Sequence, residues 1–161
     1  MGTKRVLIVD DEENIGRSLQ WILEGHGCAV TVCRSASEFL SAGNRFDLYL
    51  LDVRLPDGNG IDLLRHIRQH GSVAPVIMIS GHGTIAMAVE AVQLGAFDFL
   101  EKPLARERVL LAVQHALDRS KLERENQSLR EMVGAAPRMI GDSPAFRAVV
   151  EQATLAARSD A

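Results

Sequence analysis

Leu48-Tyr49-Leu50-Leu51-Asp52-Val53-Arg54-Leu55-Pro56 is four consecutive apolar residues closed by an aspartate, then a short turn that ends in proline. A strand apolar at successive positions must be covered on both faces, which is the condition of a central strand in a parallel sheet between two layers of helices. Four more runs flank it: Val6 to Val9, Ala29 to Cys33, Val76 to Ile79 and Phe97 to Leu100. Helical patterns lie between them. Ile15, Leu19, Ile22 and Leu23 form one stripe, Phe39 and Leu40 a shorter one, Ile61, Leu64 and Ile67 a third, and Ile85, Ala88, Val89 and Val92 a fourth. Gly25 and Gly27, Gly43 and Asn44, Gly71 and Pro75, and Gly95 fall at the breaks. This strand and helix alternation predicts an α/β fold, a doubly wound five-stranded parallel sheet.

A fifth helix is expected from near Ala105, burying Val109, Leu110, Val113 and Leu117. No Gly or Pro stops it between Asp118 and Glu131, and Leu122, Asn126, Leu129 and Val133 continue with coiled-coil spacing. Asn126 then takes an a position, where a buried Asn fixes the register of a parallel pair, with Glu125 and Arg130 placed to attract across it and Asp118 and Glu123 to repel. A polar helical linker that stays monomeric is the alternative. Gly134 and Pro137 end the helix, and Ser143-Pro144 caps a last one carrying Phe146, Val149, Val150 and Ala153. The expected organisation is a main domain over 1–120, a helical linker over 121–137 and a last segment over 138–161 whose helix docks on the main domain, dimerises or opens a further domain.

Composition narrows the function. The 161 residues are 47% hydrophobic and 24% charged, with net charge −3; residues 1–104 carry −4 and the remainder +1. Neither part is a basic patch able to displace counterions from nucleic acid, so direct DNA binding by this chain is not expected. No leader peptide or apolar run near ~20 residues is visible, which points to a cytoplasmic protein without a membrane span. Cys28 and Cys33, five apart in a β-branched run, point to opposite faces of a strand and are read as reduced.

In an open parallel sheet the site lies beyond the carboxyl ends of the strands. There the sequence places Asp10 and Asp11 after the first strand, Asp52 at the third, Ser80 at the fourth, and Lys102 with Pro103 after the fifth. Each alone is an ordinary turn or cap residue; all five on one rim are a constellation. Three carboxylates repel unless a cation sits among them, and hard oxygen ligands suit Mg2+ completed by a phosphate oxygen. Lys102 and Ser80 suit a phosphoryl group beside the metal, and Asp52 can attack phosphorus to form an acyl phosphate.

Val9-Asp10-Asp11-Glu12, Leu51-Asp52-Val53-Arg54-Leu55-Pro56 with Gly60, Ser80-Gly81-His82 and Gly95-Ala96-Phe97-Asp98-Phe99-Leu100-Glu101-Lys102-Pro103 resemble the receiver domain of two-component response regulators over residues 4 to about 120. The resemblance implies Asp52 as phosphoacceptor, Asp10, Asp11, Asp52 and the backbone carbonyl of Arg54 as Mg2+ ligands, and Ser80 and Lys102 on the phosphoryl group. It makes Phe99 the switch aromatic, here without the hydroxyl of the more common Tyr. It also implies a regulatory module and not a turnover enzyme, with a sensor histidine kinase as partner; the coiled-coil spacing of the linker adds the expectation of a homodimer. Gly95 to Leu100, the long fifth helix and Met139-Ile140-Gly141-Asp142-Ser143-Pro144 are similar to the sigma-54-dependent activators of the nitrogen-regulator C class. There a linker, an AAA+ ATPase and a DNA-binding domain follow; DNA and sigma-54 polymerase would be contacted through such later domains. No Gly-x-x-x-x-Gly-Lys-Ser/Thr loop is present, so the expectation is a chain cut before the ATPase core.

Two rivals share the architecture. A phosphohydrolase of the haloacid dehalogenase type places nucleophile and acid two residues apart after the first strand, unlike Asp10-Asp11. A flavin carrier needs a phosphate loop where Asp10-Asp11-Glu12-Glu13 would repel it. His66 and His70 lack the Glu of a zinc-protease helix and are read as solvated. Gly25-His26-Gly27, Gly58-Asn59-Gly60 and Gly81-His82-Gly83 are not dinucleotide fingerprints. Trp21, Met78 and Met87 are read as packing residues.

Overall fold

The apolar runs pair in register. In a computed structural model that describes residues 2–43 and 45–132, β1 (Arg5–Val9), β2 (Ala29–Cys33), β3 (Leu48–Asp52), β6 (Val76–Ser80) and β7 (Asp98–Glu101) form one parallel sheet in the order β2-β1-β3-β6-β7. A two-stranded antiparallel ribbon, β4 (Arg54–Leu55) and β5 (Gly58–Asn59), follows β3 and was not read from the sequence. The helices are α1 (Glu13–Glu24), α2 (Ala36–Ser41), α3 (Gly60–Gln69), α4 (Ile85–Gln93) and α5 (Arg106–Met132).

Alternation along the central strands builds two cores. Leu7, Val9, Tyr49, Leu51, Val76 and Met78 face α2, α3 and α4, where Phe39, Ile61, Leu64, Ile67 and Ala91 meet them. Val6, Ile8, Leu48, Leu50, Ile77 and Ile79 face α1 and α5, against Leu19, Leu23, Val109, Ala112, Val113 and Ala116. Each such side chain contributes about 1.5 to 3 kcal/mol on leaving water. Cys33 joins the first core and Cys28 packs against the second, so both thiols are free on opposite sheet faces, as the spacing predicts.

Three sequence expectations fail on which face a helix buries. Leu40 is 58% exposed beside buried Phe39. Trp21 is 76% exposed and is not a core residue. On α4 the expected stripe is turned outward: Ile85, Val89 and Val92 are exposed, while Ala91 is buried with Met87 and Leu94 packed beside it. Residues 85–93 contain only Glu90 and Gln93 as polar side chains, so the helix is apolar nearly all round and its periodicity does not select a face.

The chain divides into two units, Met1–Ser120 and Lys121–Ala161. In the second, the described residues 121–132 are helical, and their side chains are exposed. The coiled-coil position Val133 and the expected helix after Ser143-Pro144 lie outside the described residues. Among the described residues no helix is long and apolar enough to cross a membrane.

Candidate functional site

Strand order reverses between β1 and β3, since β2 lies to one side of β1 and β3 to the other. Side chains at the carboxyl ends of these two strands therefore face a shared crevice. Asp10 follows β1 and Asp52 ends β3, and one oxygen each of Asp10, Asp11 and Asp52 lies within 4.8 Å of the others. Asp10 and Asp52 are buried and Asp11 is exposed. Lys102, just beyond β7, reaches back across the rim to place Nζ 3.1 Å from Asp52 Oδ2 and 2.9 Å from Glu12 Oε1.

The electrostatics are unbalanced toward the acid. The carboxylates of Asp10, Glu12 and Asp52 pair with one ammonium, and that of Asp11 stands beside them without an ion pair among the described residues. Asp10 Oδ1 accepts the Glu12 backbone N–H at 2.8 Å. Its Oδ2 is buried and accepts no hydrogen bond; Lys102 Nζ stands 3.2 Å away, close enough for charge attraction but badly angled. Burial foremost, with the charge of Asp52, pushes the Asp10 carboxyl up to about 6 against the opposing Glu12 N–H and Lys102. Burial works against the charge of Lys102, but hydrogen bonds to Glu12 and Asp52 and the charges of Asp10 and Asp52 outweigh it and raise its pKa. An orphaned buried carboxylate oxygen beside two more carboxylates is the donor set of a hard divalent cation such as Mg2+.

The surroundings hold Asp52 in place. Its Oδ1 accepts the Arg54 N–H at 3.3 Å. Gly60 donates its N–H to Val53 O at 2.8 Å and lies directly under the Asp52 carbonyl, where a Cβ would come within 2.0 Å of the oxygen. Asp57, at the tip of the β4–β5 ribbon, accepts the N–H groups of Ala36 and Ser37 at 2.8 and 3.0 Å, tying that ribbon to the start of α2. Those two bonds hold its carboxyl below the usual range.

Ser80 ends β6 buried, with Oγ accepting the His82 N–H at 3.2 Å and its carbonyl accepting the Lys102 N–H at 2.8 Å. Phe99, half-buried on β7 opposite Met78, lays its ring against Gly83, where a Cβ would stand 2.7 Å from the ring edge. The structure thus gathers Asp10, Asp11, Asp52 and Lys102 at one point, with Ser80 one strand away and Phe99 behind the loop that follows it. Glu12 was not read as part of this cluster. Its signal is position alone, two residues past Asp10, where the chain turns from β1 into α1.

Residues 6–114 match the family model described as the response regulator receiver domain. The chain belongs to the response regulator receiver family. Receivers of this family are regulatory phosphoacceptors. The chain is 39% identical over 148 residues to the transcriptional regulatory protein FixJ of Azorhizobium caulinodans, covering 91% of this chain and 69% of that protein. Against the response regulator protein PilR of Pseudomonas aeruginosa it is 37% identical over 163 residues, all of this chain but 35% of PilR. Among solved structures the receiver is similar to the beryllofluoride-activated NtrC4 receiver domain dimer, with 40% identity, TM-score 0.70, and coverage of 73% of this chain and 99% of that one. It is also similar to NtrX of Brucella abortus, with 38% identity, TM-score 0.77, and coverage of 83% and 31%.

Proposed function

We propose that Asp52 is the phosphoacceptor of this receiver, loaded by a sensor histidine kinase and read out by a sigma-54-dependent activator of the nitrogen-regulator C class. The observation that carries the acceptor role is the convergence of Lys102 Nζ and the carboxylates of Asp10 and Asp11 on Asp52. An Asp52 oxygen attacks the donor's phosphorus, the bond from phosphorus to the donor breaks, and the acyl phosphate forms with the donor leaving group expelled. Asp10, Asp11, Asp52 and the Arg54 carbonyl would hold Mg2+, which when bound neutralises charge on the phosphoryl oxygens. Lys102 exchanges part of its contact with Asp52 and Glu12 for a phosphoryl oxygen. Ser80 swings its hydroxyl to another, and Phe99 follows into the space the hydroxyl leaves.

Acetyl phosphate with Mg2+ is the test. One phosphoryl mass labile to hydroxylamine supports the reading; catalytic turnover of p-nitrophenyl phosphate supports the phosphohydrolase rival instead. Asp11→Ala removes one of three carboxylates and is expected to weaken Mg2+ binding by about tenfold or more and to slow labelling in parallel. Unchanged Mg2+ affinity in a direct titration rejects the ligand role.

The activator class is supported by the match to PilR, which runs the whole length of this chain, and by NtrX. FixJ, of which the matched stretch makes up 69%, leaves room for only a short remainder and favours the second reading, a receiver that drives another output domain. Recovering the coding sequence downstream decides: a Gly-x-x-x-x-Gly-Lys-Ser/Thr loop supports the first.

Homodimer formation is part of the proposal. Ile85, Val89 and Val92 leave one apolar face of α4 in water, and Leu122 and Leu129 are 65% and 60% exposed on the extension of α5. Placing Lys at both Leu122 and Leu129 is expected to lower association measured by sedimentation without changing Asp52 labelling, since charges at two d positions oppose a coiled coil. An unchanged association state at every concentration and phosphorylation level removes the linker from the interface.

A further inference from the structure

The two ends of α3 carry different chemistry. Its first residue, Gly60, lies under Asp52, while at its other end His66, in the last turn, and His70, the C-cap, hold their ring centres 4.0 Å apart with planes inclined at 34°. His70 is exposed and His66 is not. The His66 ring is half-buried and meets Phe39 edge to face, with centres 5.9 Å apart and planes at 78°, which fixes its orientation. His70 Nδ1 lies 2.9 Å from the His66 carbonyl oxygen. A carbonyl only accepts, so Nδ1 carries the proton and the Nε2 lone pair of His70 is available. Donation from one ring nitrogen to a backbone carbonyl is the usual support of a histidine whose other nitrogen binds a metal.

We infer that His66 and His70 form a second metal site, one that takes a borderline divalent transition cation, Cu2+, Ni2+ or Zn2+, and rejects Mg2+. Two imidazoles at right angles on a tetragonal Cu2+ or Ni2+, each nitrogen about 2.0 to 2.1 Å from the metal, hold their ring centres about 4.5 Å apart, and a tetrahedral Zn2+ asks for about 5.2 Å. A small rotation of exposed His70 opens the present 4.0 Å to the tetragonal spacing while Phe39 keeps His66 in place. Burial first, and then the neighbouring His70, hold His66 below the usual histidine range, so it is neutral and able to ligate at pH 7. Two imidazole nitrogens, completed by water, favour Cu2+ over Ni2+ and give no hold on the hard cation that the acidic rim prefers.

The test is calorimetric titration of the full chain with Ni2+ in excess Mg2+, which keeps the rim carboxylates occupied. One Ni2+ per chain is expected, with tighter binding of Cu2+ in the same format. His70→Ala, an exposed position whose fold is checked by circular dichroism, is expected to weaken Ni2+ binding by about tenfold or more. His26→Ala, at an exposed histidine elsewhere, is expected to leave it unchanged. Absence of Ni2+ binding in the parent, or equal affinity in His70→Ala, overturns the inference. Neither result bears on Asp52, whose labelling is read separately.

Discussion

Asp52→Asn protein incubated with acetyl phosphate and Mg2+ is expected to gain no phosphoryl mass, a loss on the order of a thousandfold or more in labelling rate. The substitution keeps shape and swaps one oxygen for an amide nitrogen that does not attack phosphorus. The neighbours that hold the position, the Arg54 N–H on Oδ1 and Lys102 Nζ on Oδ2, sit 3.3 and 3.1 Å away, so the loss is one of nucleophile and not of fold. The Asn side chain also removes one of the three carboxylates that converge there. Weaker Mg2+ binding is therefore expected beside the lost labelling, and intact-mass spectrometry with a Mg2+ titration reads both. A parental labelling rate in Asp52→Asn places the nucleophile elsewhere.

Gly60→Ala is expected to destabilise the protein by about 3 to 5 kcal/mol, at or beyond the top of the overpacking range. The new Cβ would come within 2.0 Å of the Asp52 carbonyl oxygen and 2.8 Å of its carbon, with Met78 Cε at 3.1 Å behind it. A methionine tip gives way; a backbone carbonyl at the end of a central strand does not. Relief requires β3 or the start of α3 to shift, and Asp52 moves with it. Against a total stability of roughly 5 to 15 kcal/mol this is a large fraction, so urea unfolding is expected to show a lowered midpoint at unchanged slope. Gly58→Ala is the matched control. Its added Cβ meets Ala36 Cβ only at 3.4 Å, and the expected change is within about 0.5 kcal/mol. Equal midpoints for Gly60→Ala and Gly58→Ala remove the close approach from the account.

Much of the site was readable because a parallel sheet sends every strand's carboxyl end to the same edge. Once Leu48 to Leu51 is recognised as a strand covered on both faces, its neighbours in type must run the same way. Asp10, Asp52, Ser80 and Lys102 then fall on one rim from chain position alone. What each touches does not follow from position. Lys102 reaches Glu12 across 90 residues of chain, a pairing set by how β7 and the start of α1 approach in space. The ribbon of β4 and β5 has two residues per strand, too short for any periodicity to register.

The sequence by itself determined the five strands, their order of polar ends and the opposite-facing cysteines, because strand alternation and end residues are local properties of the chain. Tertiary structure alone decided which side of an ambiguous helix meets the core. Residues 85–93 are apolar nearly all round, and packing of Ala91, Met87 and Leu94 against the sheet turned Ile85, Val89 and Val92 to solvent. Trp21 went outward for a related reason. Leu19 and Leu23 complete the contact of α1 with the sheet, and Trp21, two residues from each, is carried by the helical turn to the opposite side. Gly60 belongs to the same class, since its need for a missing side chain is imposed by the Asp52 carbonyl above it and by nothing in its own neighbourhood in sequence.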